Sequence, residues 1–348
     1  MQNKYILSVH PKGYNQNHAG SKAVLDVELY TNEMGFKEID ICNKLDNKYI
    51  RLKDILINQF KVKNDNSIIL FQYPSVPVKM DNIITKLYIQ NKKSCTTVAL
   101  VHDLESLRLF KNDSSFIKKE IDILNRFDYV VSHNSIMSKW LKTNGLNSKV
   151  VDLELFDYKS DLDSKKFNES KFRTIAFAGN LDKEKSGFIY KLDKLECENL
   201  NINLYGPNYN NQKQHNENIK YKGKYAPEEL YKVFEEGFGL IWDGQDLDTC
   251  SGDMGEYTKY NNPHKLSLYI SAGLPVIVWK EAAISKFVEK HNIGITIESI
   301  YDIKEKLESM EANDYIKMLE NTRELQIKVI DGYFIKNAIH KIIEDTKK

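Results

Sequence analysis

The chain has 348 residues, which predicts two domains at roughly 150 residues per domain. Hydrophobic residues make up 41% and charged residues 28%, so an intrinsically disordered chain is excluded. The 50 basic and 49 acidic side chains leave a formal net charge of +1, and without a global positive field we expect no nucleic-acid partner.

The first half alternates short apolar runs with amphipathic segments, which predicts strands that alternate with helices. Ser21 is the predicted N-cap of the first helix. Because the strands are almost continuously apolar, they indicate a parallel sheet with helices on both faces. The predicted strands are 5–9, 39–42, 68–71, 97–101, 129–131 and 149–151, and the predicted helices are 21–34, 114–126 and 135–144.

A polar stretch without apolar periodicity, 157–171, is the predicted linker, and the alternation restarts after it. Strands are predicted at 174–178, 202–205, 239–242 and 275–278, with helices at 227–236 and 263–273 and mostly helical sequence from 299. The predicted fold is therefore α/β, with two doubly wound domains. The predicted domains are an N-terminal domain over 1–156, a C-terminal domain over 172–330 and a C-terminal helix over 331–348.

The cysteines are far apart and form no CxxC pair, so we expect free thiols and neither a zinc ribbon nor a disulfide framework. The N-terminal apolar run, 5–9, is shorter than the core of a signal peptide. No run reaches the ~20 apolar residues of a membrane-spanning helix. We therefore expect a soluble, cytoplasmic protein. The four cysteines are Cys42, Cys95, Cys197 and Cys250.

Ligands of open parallel sheets bind beyond the carboxyl ends of the strands, so the residues after each predicted strand are candidates for function. Gly179 and Asn180 follow the strand at 174–178, and Lys185 stands before a predicted helix. A tight turn, a lysine and a helix N-terminus together suit a phosphate group. An ordinary βα loop on the surface of a lysine-rich protein explains the same residues.

Lys265 lies in the first turn of the helix predicted at 263–273, where a cation is unfavourable against the helix dipole. A bound anion would remove that conflict, whereas the alternative is an ordinary capped helix that ends at Gly273. Asp243, directly after the strand that ends at Trp242, is a further candidate.

In the first domain, His102 and Asp103 follow the strand at 97–101, where they would serve as an orienting group and a general base. The alternative for Asp103 is the N-cap of the next helix. The small residues around Gly20 and Ser21 would let a ligand approach the first helix, or they form only a loop and an N-cap.

Several segments together resemble GT-B glycosyltransferases over essentially the whole chain: FAGNLDKEKSGF, YGPN, GKYAPEEL, GLIWDG and NNPHKLSLYISAGLPVIVW. The resembling subgroup contains the glucosyltransferases that act second in glycosylating serine-rich repeat adhesins, and β-1,6-galactofuranosyltransferases of polysaccharide synthesis. The resemblance implies two Rossmann-like domains facing a cleft, with a helical C-terminal tail. It implies a UDP-sugar donor on the C-terminal domain and an acceptor mainly on the N-terminal one.

The resemblance also implies a nucleotide-sugar site, in which Lys265 meets the donor diphosphate and Tyr225 lies near the nucleoside. Many retaining GT-B enzymes have a ribose-binding glutamate where this chain has Leu268, so we expect an inverting enzyme. The residues implied are Gly20, Ser21, Gly179, Asn180, Lys185, Tyr205, Gly206, Tyr225, Asp243, Asn262, His264 and Lys265.

The expected activity is transfer of a hexose, with glucose first, from a UDP-sugar to a glycan or a glycosylated protein. Lys185 and Lys265 would stabilise the leaving UDP in place of a metal, so we expect neither metal nor cofactor. Asp103 would be the catalytic base, with His102 beside it. The alternatives are transfer of galactofuranose from UDP-galactofuranose and a non-catalytic GT-B partner subunit.

A dinucleotide oxidoreductase is disfavoured because 10–13 has no Gly-x-Gly-x-x-Gly turn after the first strand. The sequence from 299 carries an apolar face at helical spacing, which predicts a homo-oligomer unless the face packs on its own domain. That face consists of Ile300, Ile303, Leu307 and Met310.

Overall fold

The computed structural model shows two compact units, one formed by Met1–Phe156 with Gly332–Lys348 and the other by Asp157–Asp331. Residues 162–171 of the predicted linker and 10–13 lie outside the described residues, whereas 157–161 pack in the second unit, where Tyr158 is buried. The described residues are 2–9, 19–41, 56–63, 65–75, 78–90, 92, 94–161, 172–195, 200–210 and 216–347.

The first unit contains a six-stranded parallel sheet with the order β2-β1-β3-β4-β5-β6. Strands β3 and β5 are buried along their whole length, as their continuous apolar sequences require. The edge strand β2 has one buried residue, Ile39. The strands are β1 (Lys4–Ser8), β2 (Lys37–Asp40), β3 (Ile68–Tyr73), β4 (Thr96–Val101), β5 (Tyr129–Ser132) and β6 (Lys149–Asp152).

Two helices of this unit, Ser114–Leu124 and Ser135–Thr143, begin at side chains that satisfy their free amide groups, those of Asp113 and Asn134. Asp113 accepts hydrogen bonds from the amides of Ser115 and Phe116 at the start of α4. The predicted N-cap role of Ser21 is wrong, because α1 already begins at Ala19. The helices are α1 (Ala19–Glu33), α2 (Val78–Tyr88), α3 (Glu105–Arg108), α4 (Ser114–Leu124) and α5 (Ser135–Thr143), with a 3₁₀ turn at Gln59–Lys61.

The second unit has another six-stranded parallel sheet, with the order β12-β11-β10-β7-β8-β9. Its two edge strands were not predicted, because edge strands need no continuous apolar run and these two carry few buried residues. The strands are β7 (Thr174–Ala178), β8 (Asn201–Tyr205), β9 (Ile219–Gly223), β10 (Phe238–Ile241), β11 (Val276–Trp279) and β12 (Gly294–Ile297).

The helix predicted at 263–273 is α9, and Tyr269 on this helix ties two strands together. The Tyr269 hydroxyl accepts from the Ala178 amide at 2.8 Å and donates to the Leu240 carbonyl at 3.3 Å, which fixes α9 across β7 and β10. The helices are α6 (Lys183–Ser186), α7 (Pro227–Val233), α8 (Gly252–Tyr257), α9 (His264–Ser271), α10 (Ser285–His291), α11 (Asp302–Glu308) and α12 (Ala312–Ile330), with a 3₁₀ segment at Gly187–Lys194.

The last helix, α13 (Tyr333–Asp345), belongs to the first unit. Its Lys336 pairs with Glu33 of α1 at 2.7 Å. At its other end, Asp345 accepts from the Tyr129 hydroxyl at 2.6 Å and pairs with Lys149 at 2.7 Å. The chain therefore leaves the first unit after Phe156 and returns to it at Gly332.

The apolar face proposed for oligomer formation lies inside the second unit. Ile300, Ile303 and Leu307 are 1%, 1% and 2% exposed. The expectation that they form an oligomer surface is therefore wrong, and the alternative, packing on their own domain, holds. Met310 beside them is half-buried.

Two described cysteines, Cys95 and Cys250, are free thiols, and Cys42 and Cys197 lie outside the described residues. Among the helices of the described residues, none combines the length and the apolar character needed to cross a bilayer.

The loops after β7 and β8 touch through their backbones. Gly206 follows β8 with φ +142°, and a Cβ at this position would lie 1.8 Å from the Gly179 carbonyl oxygen. The Gly179 amide also donates to the Tyr205 carbonyl at 3.0 Å. Because no side chain fits between the two loops, Gly206 fixes how closely they approach.

We expect Gly206→Ala to destabilise the protein by about 3 kcal/mol or more, at or above the upper end of the usual range for single substitutions, because the new Cβ would overlap backbone atoms. Gly252→Ala is the matched control, because Gly252 also has a positive φ, +72°, but has no atom within 4 Å of a Cβ. The control should lose only the backbone cost of about 1–2 kcal/mol. Urea unfolding of the two variants measures the difference, and equal losses would contradict the steric explanation.

Candidate functional site

The strand order of the second sheet reverses between β7 and β10, because the chain passes from β7 to β8 on one side and returns to β10 on the other. The loops that follow two such strands diverge and leave a crevice beyond their carboxyl ends. Candidate residues predicted from the sequence follow these two strands. Gly179, Asn180 and Lys185, predicted for phosphate binding, come after β7, and Asp243, the further candidate, comes after β10.

Lys265 of α9 reaches into this crevice. Its ammonium nitrogen lies 2.7 Å from Asp243 Oδ1 and 3.0 Å from the Trp242 carbonyl oxygen. The same nitrogen lies 4.7 Å from the centre of the Phe177 ring, on β7. Lys265 therefore contacts one residue of β7 and the two residues that follow β10.

The ammonium group of Lys265 is largely withdrawn from water, and its side chain is 15% exposed. Burial lowers the pKa of Lys265, the nearby charge of Lys185 lowers it further, and the carboxylate of Asp243 opposes both effects. Lys265 therefore lies within the influence of a second positive charge, that of Lys185, and a bound anion would balance this charge.

Lys185 lies on α6, and several hydrogen bonds hold the βα loop before this helix. The Asn180 side-chain oxygen accepts from the Asp182 amide at 3.1 Å and from Asn208 Nδ2 at 2.9 Å. Asp182 caps α6 by accepting from the Glu184 amide at 2.9 Å. These hydrogen bonds hold the loop between β7 and α6 without a ligand.

Four other predicted residues lie at the start of α9 or at the carboxyl ends of β8 and β9. Asn262, 2% exposed, precedes α9, and His264 is the first residue of that helix. Tyr205 ends β8, and its ring centre lies 6.3 Å from that of Tyr225, which follows the edge strand β9 and is 38% exposed. Burial raises the pKa of Tyr205, so this phenol stays neutral.

In the first unit, His102 and Asp103 follow β4 as predicted. His102 Nε2 lies 2.7 Å from Gln72 Oε1 of β3, and the imidazole stacks on Phe156 with ring centres 5.7 Å apart. Asp103 is not an N-cap, because Leu104 takes that position before α3. Instead, Asp103 Oδ2 accepts from Arg108 Nη1 at 2.9 Å.

The loop after β4 rests on a buried carboxylate, Glu120 of α4. It accepts from the amides of Glu105 and Ser106 at 3.2 and 3.0 Å, and from the Tyr73 hydroxyl at 3.0 Å. Burial raises the pKa of Glu120, while these hydrogen bonds lower it. Glu120 thereby orients α3, which carries Arg108.

Gly20 and Ser21 both lie in the first turn of α1, where Gly20 is exposed and Ser21 is fully buried. Residues 10–18, the loop before them, lie outside the described residues. Within the described residues, His, Cys, Asp and Glu side chains form no group of three that could hold a metal ion.

Sequence reasoning missed two contacts of the second-unit site. Phe177 supplies a ring face to Lys265, and Gln245 donates to the carbonyls of Lys183 and Glu184 at 2.7 and 2.6 Å. Phe177 appears in the sequence only as a buried strand residue. Gln245 has no signal in the sequence, because its partners lie about sixty positions earlier.

Comparison with known proteins identifies the family. The N-terminal domain model of the Glucosyltransferase 3-like family matches residues 3–155, and its C-terminal domain model matches residues 175–342. The chain is 36% identical over 254 residues to the beta-1,6-galactofuranosyltransferase WbbI of Escherichia coli strain K12, covering 72% of each chain. It is 26% identical over 259 residues to Glucosyltransferase 3 of Streptococcus gordonii, covering 74% of this chain and 72% of that one.

Among solved structures, HepE of Anabaena in complex with UDP superposes with a TM-score of 0.63 at 12% identity, over 99% of this chain and 100% of that one. At this identity the likeness concerns the fold, which is the GT-B fold. The predicted fold class and the predicted resemblance are confirmed. The chain belongs to the Glucosyltransferase 3-like family and is a glycosyltransferase.

Proposed function

We propose that the protein transfers a hexose from a UDP-sugar to a hydroxyl group of a glycan or of a glycosylated protein, with the donor diphosphate at Lys265 and Lys185. The observation that carries this proposal is the buried ammonium of Lys265 between β7 and β10, with a second ammonium close enough to lower its pKa. Two relatives are named as hexosyl transferases, and HepE was solved with UDP, which supports the nucleotide.

The chemistry follows from where negative charge develops. When the bond between the sugar and UDP breaks, its electron pair leaves with the β-phosphate oxygen. Preorganised cations at that oxygen stabilise the transition state more than the ground state. Lys265 and Lys185 would supply this charge, so we propose that the reaction needs no divalent metal.

Asp103 is the proposed base for the acceptor hydroxyl in an inverting transfer, with His102 beside it in the sugar site. Its partner Arg108 is shared with Glu105, whose carboxylate lies 2.6 Å from Arg108 Nη2. The guanidinium therefore orients the Asp103 carboxylate while its positive charge is divided between two carboxylates.

Glucose is the first candidate sugar, because both domain models describe Glucosyltransferase 3-like proteins. Galactofuranose is the second candidate sugar. It is supported by the 36% identity to WbbI, which exceeds the 26% identity to Glucosyltransferase 3 of Streptococcus gordonii.

The deciding experiment incubates the purified chain with UDP-glucose or UDP-galactofuranose, with and without an acceptor glycan, and measures UDP release and sugar transfer. We expect turnover with one of the two donors and the same turnover in EDTA. Activity that is lost in EDTA and restored by manganese would refute the metal-free mechanism. UDP binding without turnover of either donor would favour the non-catalytic partner subunit.

We expect Lys265→Ala to weaken UDP binding by about ten- to a hundredfold, because a hydrogen bond to a charged group contributes roughly 1.5–3 kcal/mol. Calorimetry with UDP measures this loss. Lys280→Ala is the matched control, since Lys280 also pairs with a carboxylate, Glu298 at 2.6 Å, in the same unit. Unchanged UDP affinity in Lys265→Ala would rule out this diphosphate site.

We expect Asp103→Asn to reduce turnover by about 10²–10⁴-fold, the usual contribution of a general base, with UDP affinity near that of the wild type. Glu105→Gln is the matched control, because it also removes an ion pair of Arg108 but not the proposed base. Steady-state kinetics should show a loss below tenfold for the control. Equal losses in the two variants would mean that Asp103 acts only by holding Arg108.

A further inference from the structure

The helix α6 carries Lys185 and has only four residues. Isolated helices shorter than about 12 residues are marginal in water. The last carbonyl groups of any helix also lack partners within it. Some other part of the chain must therefore hold α6 in place if Lys185 is to have a fixed position.

Three consecutive carbonyl groups of α6 accept hydrogen bonds from the loop after β10. The side-chain nitrogen of Gln245 donates to the carbonyls of Lys183 and Glu184, at 2.7 and 2.6 Å. The Gly244 amide donates to the Lys185 carbonyl at 3.2 Å. The loop thus caps the C-terminal end of a helix that lies about sixty residues earlier in the sequence.

The Gln245 side chain has one orientation in this contact. Carbonyl groups only accept hydrogen bonds, so the amide nitrogen of Gln245 must face α6 and its oxygen must face away. That oxygen occupies the space beside Gly187, where a Cβ would lie 2.0 Å from Gln245 Oε1. A side chain in place of Gly187 would therefore force the carboxamide to move.

The same loop also holds the other lysine. Asp243, two residues before Gln245, pairs with the ammonium of Lys265 at 2.7 Å. The short segment 243–245 thus fixes the Lys265 side chain on one side and the Lys185 backbone on the other. We propose that Gln245 is a positioning residue that sets the separation of the two ammonium groups for the UDP diphosphate, an inference that rests on the proposed function.

The test is a double-mutant cycle with UDP affinity as its readout, measured by calorimetry. Gln245→Ala should weaken UDP binding by about three- to tenfold, which corresponds to the net contribution of one hydrogen bond. In a Lys185→Ala background the same substitution should change the affinity by less than about twofold, because no ammonium is left to position. A merely destabilising substitution would not show this dependence.

Asn321→Ala is the matched control, since its side chain also donates to a carbonyl of the same unit, that of Asn292 at 2.9 Å. Its UDP affinity should equal that of the wild type. Gln245→Met, which keeps the length of the side chain but cannot donate, should reproduce the loss if Gln245→Ala does not fold.

Wild-type affinity in a folded Gln245 variant, or an equal loss with and without Lys185, would overturn the inference and leave the proposed function standing. Unchanged affinity in Lys185→Ala alone would instead overturn the proposed role of Lys185 in diphosphate binding, and this inference with it.

Discussion

The second unit is organised around one buried positive charge, the ammonium of Lys265. Removing an ion from water costs several kcal/mol unless partners replace the lost hydration. Those partners are Asp243, the Trp242 carbonyl and the Phe177 ring, which belong to two strands and the loops after them. Helix α9 must therefore lie close to the ends of β7 and β10. A substitution that moves one of these elements would leave the ammonium of Lys265 buried without its partners.

The two units have related sheets but hold different charged groups in the loops after their strands. In the second unit, the proposed diphosphate site holds two ammonium groups, which would stabilise a leaving group that gains negative charge. In the first unit the loop after β4 is held by carboxylates, with Glu120 buried beneath α3 and Arg108 shared by Asp103 and Glu105. In the proposed mechanism one of these carboxylates, that of Asp103, would take the proton of the acceptor hydroxyl.

The elements that could be predicted from the sequence are those whose burial requires a continuous run of apolar residues. Strand β3 is buried throughout and its sequence is therefore an apolar run, whereas the edge strand β9 alternates few apolar residues with lysines and was missed.

In the candidate site, Lys265 could be predicted because a strand, a short loop and a helix start are all local features. Gln245 was not, because its contact joins residues far apart in sequence, and no local pattern records such a pair. The apolar spacing around Ile303 predicted a helix, but it did not predict what the apolar face packs against. A face that packs on its own unit and a face that packs on another copy need the same apolar residues.

The return of the chain to the first unit has a consequence for how the protein is made. Helix α13 closes the first unit through Glu33, Tyr129 and Lys149, yet it is synthesised after all of the second unit. Domains generally fold in order as they leave the ribosome. Here the second unit is fully synthesised while the first unit still lacks α13. The surface of the first unit that α13 covers therefore stays uncovered until the second unit has been translated. The unit that is begun first is the unit that is finished last.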